Sequence, residues 1–430
     1  RNLQKYQSGG EQAHGTPTAA DAPVIEAGGM KDGKPDPKHY QDVIPAAKSD
    51  SKQELHWKVK LDKGERFGIG FMAPPPPLTG NSLGSYIIIK AVIKGPGGAS
   101  ACEDKNMSGN SSEFSQPVAG YAFTKVAGEG FSSCEPGEYD VFVESSGPAA
   151  ANQDLPLELM LWKVPEAAAA TTTSAPPTDK PQPTNVELGT SAGKLPSALG
   201  PSDAPTVKPG TYDVEIVPGE MLWFKVPVAE GQRLQMAFDV PPIDVENPND
   251  LKEDLGRRIS WNVMGPTFYP LSTNALKDDT YFHDDNVEAI KDKATTGAMT
   301  TQPIRWNNIN SSDLDVYGGF VSGEQYVALR YSTLFRKADQ NTQSIPIKFR
   351  VAVAATGEAE KAPTLSYNGE QQSATASAAT DSSSTSANAD GGNSTGGIRR
   401  TATTLAVGGG AVGLVALLVI GVVIITRKRR

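Results

Sequence analysis

The chain has 430 residues, 43 of them Gly and 33 Pro. That is room for two or three domains, and so many turn formers favour short strands over a helical bundle. The formal charge is −9, yet residues 399–430 hold six Lys/Arg and no acid, which leaves 34 basic against 49 acidic residues upstream, or −15. A chain so acidic, with no basic patch interleaved with aromatics before residue 399, argues against a nucleic-acid partner.

Arg1 is neither an initiator Met nor the start of a charged-then-apolar leader, so the chain is expected to be a processed form or a fragment. Residues 18–164 carry a first patterned unit. Apolar residues alternate at Trp57, Val59, Leu61 and at Phe67, Ile69, Phe71, with Lys58, Lys60 and Arg66 on the other face, which is the period of strands. Lys63-Gly64-Glu65 stands where a hairpin turn belongs. The prolines at 74–77 would stop that hairpin at an exposed sheet edge. Cys102 and Cys134 are the only cysteines; on an outward-facing domain they are expected to form a disulfide, with two free thiols as the alternative. Neither has a His at zinc-ligand spacing. Leu157, Leu159 and Leu161 would face inward, and Trp162 falls on the opposite parity.

Residues 165–200 are rich in Pro, Thr, Ala and Ser and read as a semi-extended tether. Residues 201–356 then repeat the first unit. WFKVPVAEGQRLQMAFDVPP at 223–242 aligns without gaps on the stretch that begins His56-Trp57 and ends Pro74-Pro75, at an offset of 167. Asp21-Ala22-Pro23 matches Asp203-Ala204-Pro205, Tyr40 matches Tyr212, and Gly95-Pro96 matches Gly265-Pro266. GEYDVFV from Gly137 resembles GEQYVAL from Gly323, and LPLELML from Leu155 resembles IPIKFRV from Ile345. Blocks in one order at drifting offsets indicate duplication, and a unit this long is a domain with its own core. Seven or eight short one-faced strands per unit predict two tandem jelly-roll-like β-sandwiches in an all-β chain.

Between Gly265-Pro266 and Gly323, residues 277–286 concentrate acid: Asp278, Asp279, Asp284 and Asp285 are candidate calcium ligands. The competing reading is a solvated acidic loop, because EF-hand spacing and its glycine are lacking; the acidic run from Asp244 to Asp254 reads the same way. Residues 357–398, Ser/Thr/Ala-rich, cannot bury enough apolar surface to order and read as a stalk. Leu405–Ile425 is 21 residues without a charge, enough for a transmembrane helix through a ~30 Å hydrocarbon core. Arg427, Lys428, Arg429 and Arg430 follow it, against Arg399 and Arg400 before it, which favours a cytoplasmic C-terminus with everything upstream outside. Gly409 and Gly413 form a GxxxG that could pair two such helices.

Catalytic signatures are missing. The four histidines stand in no HExxH or related spacing, and GxSxG, P-loop and Rossmann patterns are absent, so neither enzyme chemistry nor a cofactor is expected. Asp381-Ser382-Ser383-Ser384-Thr385 has the outline of a DxSxS metal motif, but no strand precedes it to fix ligands. The tryptophans at 57, 162, 223, 261 and 306 could stack on sugars, though such residues are more often core; Trp162 is the best carbohydrate-binding candidate among them.

The blocks TAADAPVI at 18–25, PSDAPTVKPGTYDVEIVPGEMLWFKVPVAEGQRLQMAF at 201–238 and IRWNN at 304–308, with the C-terminal anchor, resemble the region downstream of the von Willebrand factor type A domain in membrane-anchored actinobacterial proteins. They are also similar, distantly, to the bacterial pre-peptidase C-terminal β-sandwich. The resemblance implies surface display with binding or scaffolding and no catalytic residues. It makes residues 1–17 the tail of an upstream type A domain. The expected protein is a single-pass cell-surface molecule held in lipid through residues 405–425, with a protein or cell-wall polymer as partner. A carbohydrate-binding module is the alternative.

Overall fold

The computed structural model describes residues 1–47, 51–74, 86–112, 116–129, 134–147, 154–168, 174–178, 181–184, 186–243, 257–275, 282–290, 293–333 and 346–367. Strands β1 (Glu11–Gln12), β2 (Lys38–Ile44), β3 (Gln53–Leu61), β4 (Phe67–Ala73), β5 (Tyr86–Lys94), β6 (Glu103–Met107), β7 (Gly109–Ser112), β8 (Val118–Thr124), β9 (Gly137–Ser146) and β10 (Leu155–Lys163) build a first sandwich. Its sheets run β1-β2-β10-β4-β8-β6 and β3-β9-β5-β7. The second uses β11 (Ser191–Lys194), β12 (Gly210–Ile216), β13 (Met221–Val228), β14 (Arg233–Val240), β15 (Arg257–Met264), β16 (Pro270–Leu271), β17 (Thr273–Ala275), β18 (Asn286–Glu288), β19 (Thr295–Thr301), β20 (Gly323–Thr333) and β21 (Ile347–Thr356). Its sheets run β11-β12-β21-β14-β19-β17 and β13-β20-β15-β16, with β18 also on β15.

The two strand orders correspond place for place across the six-stranded sheets. Even the one parallel pair recurs, β1 on β2 and β11 on β12. The expected alternation holds throughout. Trp57, Val59, Leu61, Phe67, Ile69 and Phe71 fill the first core with Leu157, Leu159 and Leu161. Phe224, Val226, Val228, Leu234, Met236 and Phe238 fill the second with Ile347, Phe349 and Val351. Register refines the repeat. Tyr40 faces Leu159 and Tyr212 faces Val351, so the last strands correspond two residues away from the alignment of Leu157 with Ile347. A shift of two preserves parity, which is why the inward set is unaffected.

The doubled stretch is not a hairpin. β3 pairs with β9, whereas β4 pairs with β8 and β10 in the opposite sheet. Lys63-Gly64-Glu65 therefore arches from one sheet to the other, as does Glu230-Gly231-Gln232. Gly64 (φ 84°) and Gly231 (φ 81°) take the left-handed conformation the arch needs. Alternation reports only which face is buried, so it could not separate a neighbour in the same sheet from one across the core.

Three segments read as tethers are built into the fold. In the 165–200 linker, Thr184 donates its N–H to Gln235 (3.2 Å) and the Gln182 carbonyl accepts from Arg233 (3.1 Å). Val186 and Leu188 lie on Ala237, Ala298 and Ala352, whose small side chains leave a trough for them. The first residues of the expected stalk turn back. Glu360 is gripped by Arg305 (2.6 Å), Leu365–Ser366 pairs antiparallel with Glu166–Ala167, and the Tyr367 hydroxyl donates to the Lys163 carbonyl (3.0 Å). Residues 1–17, expected as a tail, supply β1 and the core residue Ala13.

The described residues all belong to one compact unit, residues 1–378. The span 405–425, the rest of the stalk and the acidic run from Asp244 to Asp254 lie outside the described residues. Among the described residues, no helix is long and apolar enough to cross a membrane.

Cys102 and Cys134 form a disulfide, buried, with Cα atoms 5.2 Å apart and a sequence separation of 32. Closing a loop of that size stabilises by about 3–4 kcal/mol in the chain-entropy model. The double change Cys102→Ser, Cys134→Ser is therefore expected to cost roughly that much in urea unfolding; an unchanged midpoint and slope would contradict it.

Candidate functional site

The outer face of the first six-stranded sheet is where the structure departs most from the sequence reading. Trp162 does lie on the side away from the core, as its parity says, but that side is covered by the second sandwich and Trp162 is 0% exposed. It stacks on Phe320 (ring centroids 5.9 Å apart) and its indole N–H donates to the Tyr269 hydroxyl (3.3 Å). It offers no face to a sugar. The other four tryptophans are buried as well, so the aromatic platform expected of a carbohydrate module is not formed by any of them.

The covering element is the turn Gly265–Tyr269, with Tyr317 and Phe320 from the segment after the 3-10 turn Trp306–Asn310. Tyr269 stacks on Tyr121 (4.6 Å) and leans on Phe123 (5.0 Å). Backbone comes this close only because β4 has no side chains there. A Cβ on Gly68 would lie 2.3 Å from the Tyr269 hydroxyl, and one on Gly70 1.8 Å from the Thr267 carbonyl oxygen. Phe268 takes a left-handed φ of 64°, a strained conformation for a bulky residue. It sets the ring edge-on to both His39 (5.4 Å) and Tyr326 (5.3 Å).

Beside this aromatic seam sits a polar knot that sequence reasoning missed. Glu158, fully buried on the parity of Trp162, accepts from the Tyr6 hydroxyl and the Gly9 N–H (3.2 Å), and its other oxygen meets His39 Nε2 at 2.5 Å. Ser202 Oγ lies 3.3 Å from His39 Nδ1. Serine, histidine and glutamate in a row have the residue types of a hydrolytic triad. The space does not fit that use: a Cβ on Gly9 would stand 1.8 Å from Ser202 Oγ, so the hydroxyl is pressed against backbone where an acyl group would have to sit. The row joins the two sandwiches. The second sandwich holds the same N-terminal segment through Glu220, also fully buried, which takes Arg1 in a two-pronged ion pair (2.7 Å for each contact) and the Gln4 N–H (3.4 Å). The signal that could have found Glu158 was an acid flanked by inward leucines in a strand with no polar neighbour at 160 or 162.

The acidic loop does not assemble a calcium site among the described residues. Asp278 and Asp279 lie outside them. Asp284 Oδ1 accepts from the Ala275 N–H (3.0 Å), while Asp285 binds the Gln116 amide (2.7 Å) and that of Asn286 (2.7 Å). These carboxylates fasten strand ends, and no group of three metal-ligating side chains occurs among the described residues.

An open groove of about 550 Å³ lies on the outer face of the second six-stranded sheet, lined by Lys194, Asp213, Glu215, Asp239, Lys348 and Arg350 over Val214, Pro241 and Phe349. Asp239 pairs with Arg350 (2.6 Å), Lys348 stands 3.6 Å from Glu215, and Asp213 accepts from Ser191 (2.7 Å). These are the positions that in the first sandwich form the seam: Asp239 corresponds to Met72 and Arg350 to Glu158 by register.

No family model and no curated protein matches the chain. Among solved structures it is similar to the CUB1-EGF-CUB2 domain of human MASP-1/3 (12% identity over 74% of this chain and 99% of that one, TM-score 0.17). It is similar also to the tandem CBM22-1-CBM22-2 domain of Paenibacillus barcinonensis Xyn10C (12%, 76% and 94%, 0.18). A third is the ANX2 ectodomain from Arabidopsis thaliana (10%, 75% and 91%, 0.19). Scores this low carry no argument about ligand or activity.

Two outcomes follow from the seam. Gly70→Ala is expected to lower stability by roughly 1–3 kcal/mol, the range for overpacking a filled interior, and to open the seam to hydrogen exchange while both cores stay protected; exchange unchanged along β4 and residues 265–269 would refute it. Burial holds the phenols of Tyr6, Tyr121, Tyr269, Tyr317 and Tyr326 above their ordinary value, that of Tyr326 up to about 12. A folded-state pKa raised in this way contributes stability that is complete below the unfolded value and is lost as pH climbs past it. Unfolding free energy should therefore fall above pH ~10, by up to ~1.4 kcal/mol per pH unit for each of these tyrosines. The share of the 295 nm absorbance that belongs to these five should rise only as the chain unfolds; their ionisation near pH 10 in folded protein would show the argument wrong.

Proposed function

We propose that the chain is a cell-surface interaction or envelope-scaffolding protein. Its tandem jelly-roll sandwiches would be held outside the membrane by the 405–425 span, with the basic end in the cytoplasm. The strand order supports the jelly-roll reading: in the first sandwich β10 lies between β2 and β4, and in the partner sheet β9 lies between β3 and β5. The observation that carries the functional reading is the contrast between the two six-stranded sheets. One outer face is consumed in joining the sandwiches; the corresponding face of the other is covered by Val186 and Leu188 over Ala237, Ala298 and Ala352, and beside them it forms an open groove with three cations and three carboxylates.

A groove of mixed charge suits a polypeptide or a charged polymer, whose ionic groups can exchange with the pairs already there. Phe349, its one aromatic, is 3% exposed, so stacking on a neutral sugar has no ring to use. The carbohydrate alternative therefore rests on hydrogen bonding within the same groove and no longer on Trp162.

Lys194 and Lys348 project from the groove into solvent, so Lys194→Glu with Lys348→Glu should leave the fold intact. Full-length protein incubated with isolated envelope is expected to be retained, and the double variant to be retained at least about tenfold less, the cost of like charges meeting at an interface. Equal retention of both proteins would remove the groove from the proposal. Competition by purified, protein-free wall polymer would turn the assignment to the carbohydrate alternative.

A further inference from the structure

The second sandwich presents its other sheet, β13-β20-β15, to the seam, and the face turned that way contains an unpaired charge. Arg330 is 1% exposed, and none of its three guanidinium nitrogens has a hydrogen-bond partner. Its strand neighbours are fixed by register: Met221 directly across on β13 and Ser260 directly across on β15. Trp223 and Asn262, which face Ala328, are one diagonal step away, a spacing long side chains can bridge. Ser260 Oγ and the Trp223 indole N–H are likewise buried without a partner. Around them Met221, Trp223, Met264 and Ala328 pack with Met72, Ala119 and Met160 of the first sandwich.

A guanidinium in such surroundings is costly unless something negative meets it. Burial is the sole cause that lowers the Arg330 pKa, to about 9, and no neighbouring carboxylate acts on it; at neutral pH the side chain still carries its charge. The fully buried acids are engaged elsewhere, Glu158 with Tyr6, Gly9 and His39, and Glu220 with Arg1 and Gln4. Asn262, whose Oδ1 is an unpaired acceptor, has its amide N–H directed at the Pro117 carbonyl (3.5 Å). The unpaired set is thus rich in donors: a planar cationic fork, an indole N–H and a hydroxyl.

We propose that the seam holds one small monovalent anion between Arg330, Trp223 and Ser260. Arg258, one step along the same face by register, is paired with Glu288 (3.6 Å), so the single unbalanced cation matches a single negative charge. The flat fork suits a carboxylate of formate or acetate size, with chloride as the smallest alternative from the same class. Phosphate, larger and more highly charged, does not match. In the duplicate the equivalent position is Glu144, exposed enough to pair with Lys52 (2.8 Å), so the site belongs to the covered copy of the face and to the joining of the sandwiches. Its readout is stability, independent of what the outer groove binds.

The test uses the full chain in gluconate buffer at constant ionic strength, titrated with sodium formate, chloride or phosphate. Formate and chloride are expected to raise the melting temperature along a saturating curve by roughly 2–4 °C, as ligand linkage requires, while phosphate does not. Arg330→Met should abolish the dependence and melt in gluconate no lower than the parent, since it removes the uncompensated charge. No response of the parent to either anion, or an equal response of the Met variant, overturns the proposal. Should Arg330→Met not fold, Trp223→Phe decides: it keeps a ring and loses one donor, so the anion midpoint should move up by roughly tenfold, and an unmoved midpoint overturns the assignment.

Discussion

The architecture depends on how closely the turn 265–269 approaches β4. Two sandwiches that merely followed one another in sequence would move independently. Here Gly68 and Gly70 remove the side chains that would hold them apart, and the backbone of Thr267 and the ring of Tyr269 occupy that space. Other contacts then become available: the stack of Tyr121, Phe123, Trp162 and Phe320 on Tyr269, and the methionine packing of Met72 and Met160 against Met221 and Met264. Apolar burial of this kind scales with area removed from water. The two glycines therefore act at a distance, through every ring whose contact needs the approach they permit.

Duplication allows each face to be compared with its own copy in a different environment. In the first sandwich the outer face of the β3-β9-β5 sheet carries Glu54, His56, Lys90, Lys94, Phe142 and Glu144. The corresponding positions in the covered copy, fixed by strand register, are Met221, Trp223, Ser260, Met264, Ala328 and Arg330. His56, buried, stacked on Phe142 and bonded to Asp140 and Glu54, sits in a satisfied network. Its counterpart Trp223 is interior. At four of the six positions polarity falls as burial demands, and Ala328, like Phe142, is apolar. Arg330 alone goes the other way, from an acid to a cation in a place without solvent.

Inward faces were legible because they obey a period: every core residue named at 57–71, 157–161, 224–238 and 347–351 is in a core. Outward faces were not. The parity of Trp162 and Glu158 was readable, but parity cannot say whether water or another domain lies beyond the sheet. A clue was present in FGIGFMA, where glycine recurs on one face, since glycine inside a strand marks a close approach of backbone. The arch at Gly64 was mistaken for a hairpin because both constructions need an abrupt turn between two alternating runs. The tethers failed for a different reason. Composition scores Val186, Leu188, Leu365 and Tyr367 as isolated apolar residues in polar surroundings, and only the trough over Ala237, Ala298 and Ala352 or the exposed end of β10 gives them somewhere to go.

The N-terminal segment shows how these parts hold one another. Glu158 and Glu220 are acids in interiors, which is tolerable only when each is met by donors. Both find those donors in residues 1–9: Arg1 and Gln4 for Glu220, Tyr6 and Gly9 for Glu158. One glutamate belongs to each sandwich, so a strap that satisfies both is a clamp across the seam, and Tyr6 adds its ring edge-on to Trp223 (6.5 Å). Without the strap Glu158 keeps only His39 (2.5 Å) and Glu220 only the Val217 N–H (3.2 Å), and the strap, with only β1 of two residues as regular structure, has no reason to lie there without them. Aromatic packing fixes the distance between the sandwiches, while the paired acids fix their registration. The second depends on the first, because only after the glycines admit the turn do Glu158 and Glu220 come within reach of one short peptide.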